Sequence, residues 1–337
     1  MARHLGIDIG ASSIKILELS DSAEIEAQTI LANPVGKNVS LMTNPEKLQI
    51  VDILKKGLVS VGIKSKKAVV SIPESLVYTK VMKFTKMSTP ELATAIKWEL
   101  DQNVPFPPNE IEMSWTLMEG LSKKSGTEDM VSYVVAVPSK ISETYVEIFE
   151  QLEIEIERLE NESTALQRTF SGFVPENGLA MTVDFGYSGT NIILMDKSSI
   201  INSYYYSVGG MAMTKLISES FGLTADQAEN YKRTYGLLPD QLDGKMVLLL
   251  KPVINNLVLE FKKMLIAYRN DFGESGSIRV ILSGGGAFLT QLPAHISAAL
   301  EGAEVLMGNV FEGKMVDSTQ MAYGPVYAVA HGLALEP

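Results

Sequence analysis

Apolar and polar positions alternate with two periods along this chain, and the switches between them mark the elements. LGIDIG and the following ASSIKILEL (residues 5–19) read as two short strands around a tight turn of small residues. Leu48, Val51, Leu54, Leu58 and Val61 then lie three or four apart, which is helical spacing over 44–62. Ala68–Ile72 is a β-rich run stopped by Pro73, and Leu76–Phe84 reads as another strand. Ser88 with Glu91 three residues on is a capping-box start for a helix carrying Leu92, Ile96 and Leu100 on one face. Val104-Pro105-Phe106-Pro107-Pro108 ends it. Residues 111–119 and 130–137 read as a strand pair around the polar loop SKKSGTED, and 143–152 as a helix.

A second block copies the opening one. Gly178–Asp184 is a strand, and FGYSGTNIILMD repeats the order strand, Asp-x-Gly, small polar residues, strand. Asp8 and Asp184 hold matching places, so the chain carries an internal duplication. The turn SVGG (207–210) leads to an amphipathic helix on Met213, Leu216, Ile217 and Phe221, stopped by Gly222. Thr224 and Gln227 open a further helix through Tyr235. In 245–270 Pro252 interrupts the helical pattern, although Ile254, Leu257, Val258, Phe261 and Leu265 keep the period beyond it. Arg279–Leu282 is a strand feeding SGGGAFL.

Composition removes several function classes. The 337 residues hold 29 Lys plus Arg against 40 Asp plus Glu, a net charge of −11, so general nucleic-acid binding is excluded. With no cysteine, disulfides, thiolate zinc sites and a cysteine nucleophile are excluded. His4, His295 and His331 lack metal-site spacing and read as structural or surface residues. The 16 methionines read as core filler. Met82, Met87 and Met113 offer the alternative of an adaptable peptide groove, with core packing favoured. The longest apolar runs, MVLLL and YVVAV, fall short of the ~20 residues that span a bilayer. A soluble cytoplasmic protein is expected, meeting a membrane only through a partner.

The paired Asp-x-Gly turns suggest a nucleotide cleft. Turns of Gly, Ser and Thr present N–H groups and hydroxyls to phosphate oxygens, and two facing turns grip a polyphosphate from both sides. Carboxylates beside phosphates call for a metal, so Asp8 and Asp184 are the candidate Mg²⁺ residues, with Lys15 supplying a further cation. The Gly284–Gly286 turn suits close approach of backbone to a flat ligand. Nothing matches G-x-x-x-x-G-K-[ST] or G-x-G-x-x-G, which argues against a P-loop NTPase or a Rossmann dehydrogenase.

In this order the motifs resemble the superfamily of actin, the Hsp70 chaperones and the sugar kinases. GIDIGASSIKI (6–16) resembles its first phosphate motif, VDFGYSGTNI (183–192) its second and ILSGGGAFL (281–289) its adenosine motif. LENESTALQ (159–167) and AYGPVYAVAHGLAL (322–335) resemble its two connecting helices. The fold so implied is α/β and actin-like (ribonuclease H-like), with duplicated lobes around a nucleotide cleft. The first lobe is expected at 1–160 with a small inserted subdomain at about 80–155. The second lobe is expected at 161–337, its C-terminal helix packing back on the first.

The early insert, the Pro-Phe-Pro phrase in IKWELDQNVPFPPNEIEMSW (96–115) and ESFGLTADQAENYKRTYGL (219–237) are similar to the FtsA and PilM branch. The sequence runs out at Pro337 without the membrane-binding tail of FtsA, which points to the PilM pilus-assembly family. That resemblance implies roles residue by residue. Asp8 would hold Mg²⁺ through water, and Asp184 would orient metal waters or an attacking water. Ser12, Ser13 and Lys15, with Gly10, would meet the β- and γ-phosphates. Gly186, Ser188, Gly189 and Thr190 would close the second phosphate turn, beside Gly209 and Gly210. Glu162, in Asn161-Glu162-Ser163-Thr164-Ala165, is a candidate for positioning water, or else a carboxylate favoured at a helix start. Glu229 and Lys232, three apart, would reach a ribose, and Gly284, Gly285, Gly286 and Phe288 would pack on adenosine.

The implied function is a cytoplasmic ATP- or ADP-binding scaffold of type IV pilus assembly, peripheral on the inner membrane. It would bind the N-terminal cytoplasmic peptide of a PilN-type single-pass protein and link it to the pilus motor and assembly platform. Slow Mg-dependent ATP hydrolysis and weak self-association are left open. The alternatives are a filament former of the FtsA or MreB kind and a small-molecule kinase.

Overall fold

The computed structural model describes residues 3–104, 106–118, 121, 129–274, 276–301 and 303–335. Two five-stranded sheets share one topology. The first is ordered β3-β2-β1-β4-β8, from β1 (Arg3–Ile9), β2 (Ser13–Ser20), β3 (Ile25–Ala32), β4 (Lys67–Ile72) and β8 (Glu155–Asn161). The second is ordered β11-β10-β9-β12-β13, from β9 (Gly178–Phe185), β10 (Thr190–Met195), β11 (Ile200–Tyr206), β12 (Ser277–Ser283) and β13 (Glu304–Met307). In each, three antiparallel strands are followed by two parallel ones. The duplication read in the two Asp-x-Gly blocks therefore extends over whole sheets.

Helices α1 (Asn44–Ser60) and α3 (Ser139–Leu152) pack on the first sheet, burying Ile50, Leu54, Tyr145, Ile148 and Phe149 with Ile7, Ile14 and Val70. Helices α5 (Gly210–Phe221), α6 (Ala225–Tyr235) and α7 (Lys245–Phe272) pack with the second, where Met213, Ile217, Leu250, Ile254 and Phe261 meet Ile193 and Leu194. Between the lobes run α4 (Glu162–Phe170) and α10 (Ala328–Ala334). They approach at backbone distance. A Cβ at Gly332 would overlap the Ala165 carbonyl oxygen, and one at Gly6 the Ala330 carbonyl oxygen, so glycine alone fits both places.

A separate three-stranded sheet, β5-β7-β6, is built from β5 (Tyr78–Phe84), β6 (Ile111–Leu117) and β7 (Met130–Pro138). Helix α2 (Thr89–Asn103) covers one face, with Leu92, Ile96 and Leu100 against Met82, Val134 and Ala136. The hairpin loop expected at SKKSGTED lies almost wholly outside the described residues.

Four expectations change. The helix expected from residue 159 begins at Glu162, because Leu159–Asn161 complete β8 in the first sheet. Helix α7 runs through Pro252 without a break. Its apolar stripe is buried on both sides of the proline, and that burial outweighs the ~3 kcal/mol a proline costs inside a helix. The residues 139–152 counted with the insert belong to the first lobe's core. Strands β3, β11 and β13 leave no mark in the pattern, since all three are sheet edges with mixed exposure and β13 is only four residues long. Of the methionines weighed for a groove, Met82 is buried at 5% exposure while Met113 is open at 40%.

Candidate functional site

The two Asp-bearing turns have the same internal geometry. Gly10 N–H donates to the Ser13 carbonyl at 3.1 Å, and Gly186 N–H to the Gly189 carbonyl at 2.9 Å. Each Asp lies near the end of its strand and accepts a serine hydroxyl from the neighbouring parallel strand. Ser71 Oγ donates to Asp8 Oδ1 at 2.8 Å, and Ser283 Oγ to Asp184 Oδ1 at 2.8 Å. Asn33 holds the first turn from outside, its Nδ2 donating to the Gly10 carbonyl at 2.9 Å.

Charge gathers where the turns face each other. Asp8 is 4% exposed and its Oδ2 accepts from Lys15 Nζ at 3.0 Å. Burial alone would lower the Lys15 ammonium, but Asp8, aided by Asp184 and Glu162, reverses this and raises its pKa. Burial, then repulsion from Asp8 and Asp184, pushes Glu162 well above the usual carboxylate range. Asp184 is also pushed up by burial, against the opposing pull of Ser283 and Lys15. Three carboxylates thus share one ammonium, a donor set that fits an added cation. Among the described residues no group of three His, Cys, Asp or Glu side chains is placed to hold a metal ion by itself. Such a set suits Mg²⁺ that keeps its waters and takes further oxygens from phosphate.

The two turns and the charges between them line a single cleft. Gly10, Ser12, Lys15, Gly186, Ser188 and Gly189 line it together with Asp8, Asp184 and Glu162. Ser13 contributes the carbonyl that closes its turn. Thr190 is fully buried and holds the second turn from beneath, its hydroxyl donating to the Val208 carbonyl at 2.8 Å, so it does not face the cleft. Gly210 N–H donates to the Gly186 carbonyl at 2.9 Å. A Cβ at Gly209 would come within 2.6 Å of the Gly189 nitrogen, so the two glycines brace the second turn.

Glu229 and Lys232 are paired at 2.6 Å, and Lys232 Nζ also donates to the Gly210 carbonyl at 3.1 Å. Burial opposes ionisation of Glu229, but Lys232, Thr214 and Arg233 hold its pKa down at about 2. Their visible work is to anchor the start of α5 beneath the glycine turn. Gly284 adopts φ +76°, a conformation that favours glycine. A Cβ at Gly286 would press on the Phe185 ring, whereas one at Gly285 would meet open space. Gly285 therefore leaves a bare backbone surface, flanked by Phe288 at 44% exposure, that a flat ligand can cover.

Sequence reading missed Ser71, Ser283, Asn191, Asn33 and Tyr205. A signal existed for the serines: VVSIP and VILSGGG both place Ser at the end of the parallel strand beside an Asp strand. Tyr205 lines the cleft only through the β10–β11 register, which no local pattern announces.

The family model for the type IV pilus assembly protein PilM matches residues 6–337. Among solved structures, the chain is similar to one of a PilM-PilN type IV pilus biogenesis complex, at 25% identity and TM-score 0.84, over 99% of both chains. It is also similar to the ethanolamine utilization protein EutJ from Carboxydothermus hydrogenoformans, at 15% identity and TM-score 0.59, over 99% of this chain and 89% of that one. MreB 5 of Spiroplasma citri bound to AMPPNP matches at 10% identity and TM-score 0.57, over 98% and 95%. These neighbours share the actin-like fold. The family match spans the duplicated lobes and the small sheet alike, and the chain belongs to the family of type IV pilus assembly protein PilM.

Proposed function

We propose that this chain is a nucleotide-binding scaffold of type IV pilus assembly that docks the N-terminal peptide of a PilN-type membrane partner. The supporting observation is the duplicated cleft: two turns closed by the same Gly N–H to carbonyl bond, one Asp beside each, and an excess of buried carboxylates that fits Mg²⁺. Lys15 and the Gly10–Ser13 turn bind phosphate from the first lobe, and Gly186–Gly189 from the second. Asp8 and Asp184 face the metal through its waters, and Glu162 orients water near the terminal phosphate. Gly284–Gly286 and Phe288 cover the adenosine, with Glu229 and Lys232 beside the ribose. Bound Mg²⁺ would neutralise phosphate charge. A scaffold needs occupancy of this cleft more than turnover.

The neighbour of 0.84 TM-score is a complex with PilN, which supports the same partner class here. Among the described residues no helix is long and apolar enough to cross a membrane, so attachment to the inner membrane would run through that partner. The lobes 1–160 and 161–337, with the small sheet set into the first, would be the units that nucleotide draws together. Links to pilus motor proteins and weak self-association belong to the same reading. Anisotropy of a labelled PilN-type N-terminal peptide, with and without Mg·ATP, tests it. Saturable binding is expected, and no binding in either state would remove the partner.

A further inference from the structure

The link between β4 and β5 serves two regions at once. Pro73 and Ser75 face the cleft, while Glu74 between them is buried at 4% exposure among groups of the other side. Its N–H donates to Glu162 Oε2 at 3.1 Å, and its own Oε2 accepts the Ser163 N–H at 3.2 Å. Residues 74 and 162–163 thus clamp each other with two bonds running in opposite directions. The carboxylate also sits at the first turn of α4, where unpaired helix N–H groups favour a negative charge.

The same carboxylate reaches the small sheet. Asn161 Nδ2 donates to Glu74 Oε2 at 3.1 Å and to the Tyr133 hydroxyl on β7 at 3.0 Å. The Asn161 amide turns its Nδ2 to the Glu74 carboxylate, and its Oδ1 accepts from Thr164 Oγ1 at 2.6 Å. Thr79 Oγ1 on β5 donates to Glu74 Oε1 at 3.3 Å and lies 3.0 Å from Ser203 Oγ on β11. Ser163 in turn shares hydrogen bonds with Asn191, the strand partner of Asp184. First lobe, second lobe and small sheet therefore meet in one buried polar network. Such a network is favourable in one arrangement, since each broken bond leaves a desolvated group. When Glu162 or the 73–75 wall shifts, the small sheet has to shift with it or lose those bonds.

We propose that Glu74 is a positioning residue that couples the occupancy of the nucleotide cleft to the orientation of the β5-β7-β6 sheet. This deepens the nucleotide reading of the cleft and rests on it. The chain carries its own reporter. Its two tryptophans, Trp98 on α2 and Trp115 on β6, both lie in the small subdomain, so tryptophan emission, excited where tyrosine does not absorb, reports on that part alone.

The test is titration of the full chain with Mg·ATP, following Trp emission, beside calorimetry that measures nucleotide affinity directly. In the natural chain, emission shifts with occupancy. Glu74→Gln keeps the shape and an acceptor in the Oε2 place for Ser163, but sets an NH₂ group in the Oε1 place, against Thr79 Oγ1 at 3.3 Å and Asn161 Nδ2 at 3.4 Å. It leaves nucleotide affinity within the roughly fivefold at which coupling between sites begins, while the emission shift disappears. Tyr133→Phe breaks the same path inside the small sheet, away from the cleft, and reduces the shift. Full shifts in both variants at unchanged affinity would overturn the coupling and leave the cleft reading intact. Nucleotide binding without any emission change in the natural chain would do the same. Absence of nucleotide binding in the natural chain would sink the cleft reading, and this proposal with it.

Discussion

The two Asp-bearing turns are built alike and charged differently. Both close with a Gly N–H to carbonyl bond, and both Asp side chains accept a serine from the adjacent strand. The difference is the residue across the hairpin: Lys15 faces Asp8, whereas Asn191 faces Asp184. Lys15 balances the first carboxylate directly. Asn191 is neutral and spends its amide on Ser163 at the start of α4. Asp184 and Glu162 therefore remain a carboxylate pair that burial pushes up in pKa. Duplication supplied the frame, and one hairpin position divides it into a side whose Asp meets an ammonium and a side whose Asp meets a neutral amide.

The largest way to break this asymmetry is Lys15→Met. It leaves Asp8 buried beside Asp184 and Glu162 with no ammonium. Removing one partner of a buried pair costs about 3–5 kcal/mol, so a large fall in Tm is expected at pH 7. Mg·ATP affinity falls too, by about 100-fold or more if the phosphate contact is also lost. Calorimetry and thermal unfolding check both. A natural-like Tm would show that the cleft carboxylates do not depend on Lys15.

Asp184→Asn acts from the other side. A carboxyl whose pKa is raised by folding favours the folded state most at low pH. That advantage is lost as pH climbs from the unfolded value of about 3.9 through the raised native value. The Asn variant lacks this term, so its ligand-free stability at neutral pH should match or exceed the natural chain's, by about 1 kcal/mol or less. The benefit of Mg²⁺ to nucleotide binding should shrink by about tenfold. Urea unfolding at pH 5 and pH 8 together with ATP titrations at varied Mg²⁺ decides it. A variant less stable at pH 8 but not at pH 5 would contradict the electrostatic account.

The frame of this site is legible in the sequence, because its two Asp-x-Gly turns are local. Asp8, Gly10, Lys15, Asp184 and Gly186 stand within a few residues of each other in each half, and glycine and small polar residues leave a visible trace. What was missed is held by register across strands. Ser71 and Ser283 reach their Asp partners from strands 63 and 99 residues away, and Glu74 meets Asn161 at a separation of 87. Thr190 looked like a cleft residue because it follows the turn, but strand alternation turns it to the core. The Pro252 reading erred for a related reason. A local helix rule met a buried stripe on both sides of the proline, and tertiary burial decided.

The finest test of the asymmetry is the matched pair Ser71→Ala and Ser283→Ala. Each removes one hydroxyl bond of 2.8 Å to an Asp, in equivalent places of the two lobes. A hydrogen bond to a charged group contributes roughly 1.5–3 kcal/mol where no other partner compensates. Asp8 keeps Lys15 at 3.0 Å when Ser71 is lost, so the expected cost there is at the low end. Asp184 has only the neutral Asn191 across its hairpin, and loss of Ser283 should raise its pKa further. Ser283→Ala is therefore expected to weaken Mg·ATP binding about threefold more than Ser71→Ala, with the double variant departing from the product of the two because Asp8 and Asp184 share Lys15. Equal losses would mean that the two carboxylates carry the same load, and that the Lys15–Asn191 difference does not set their roles.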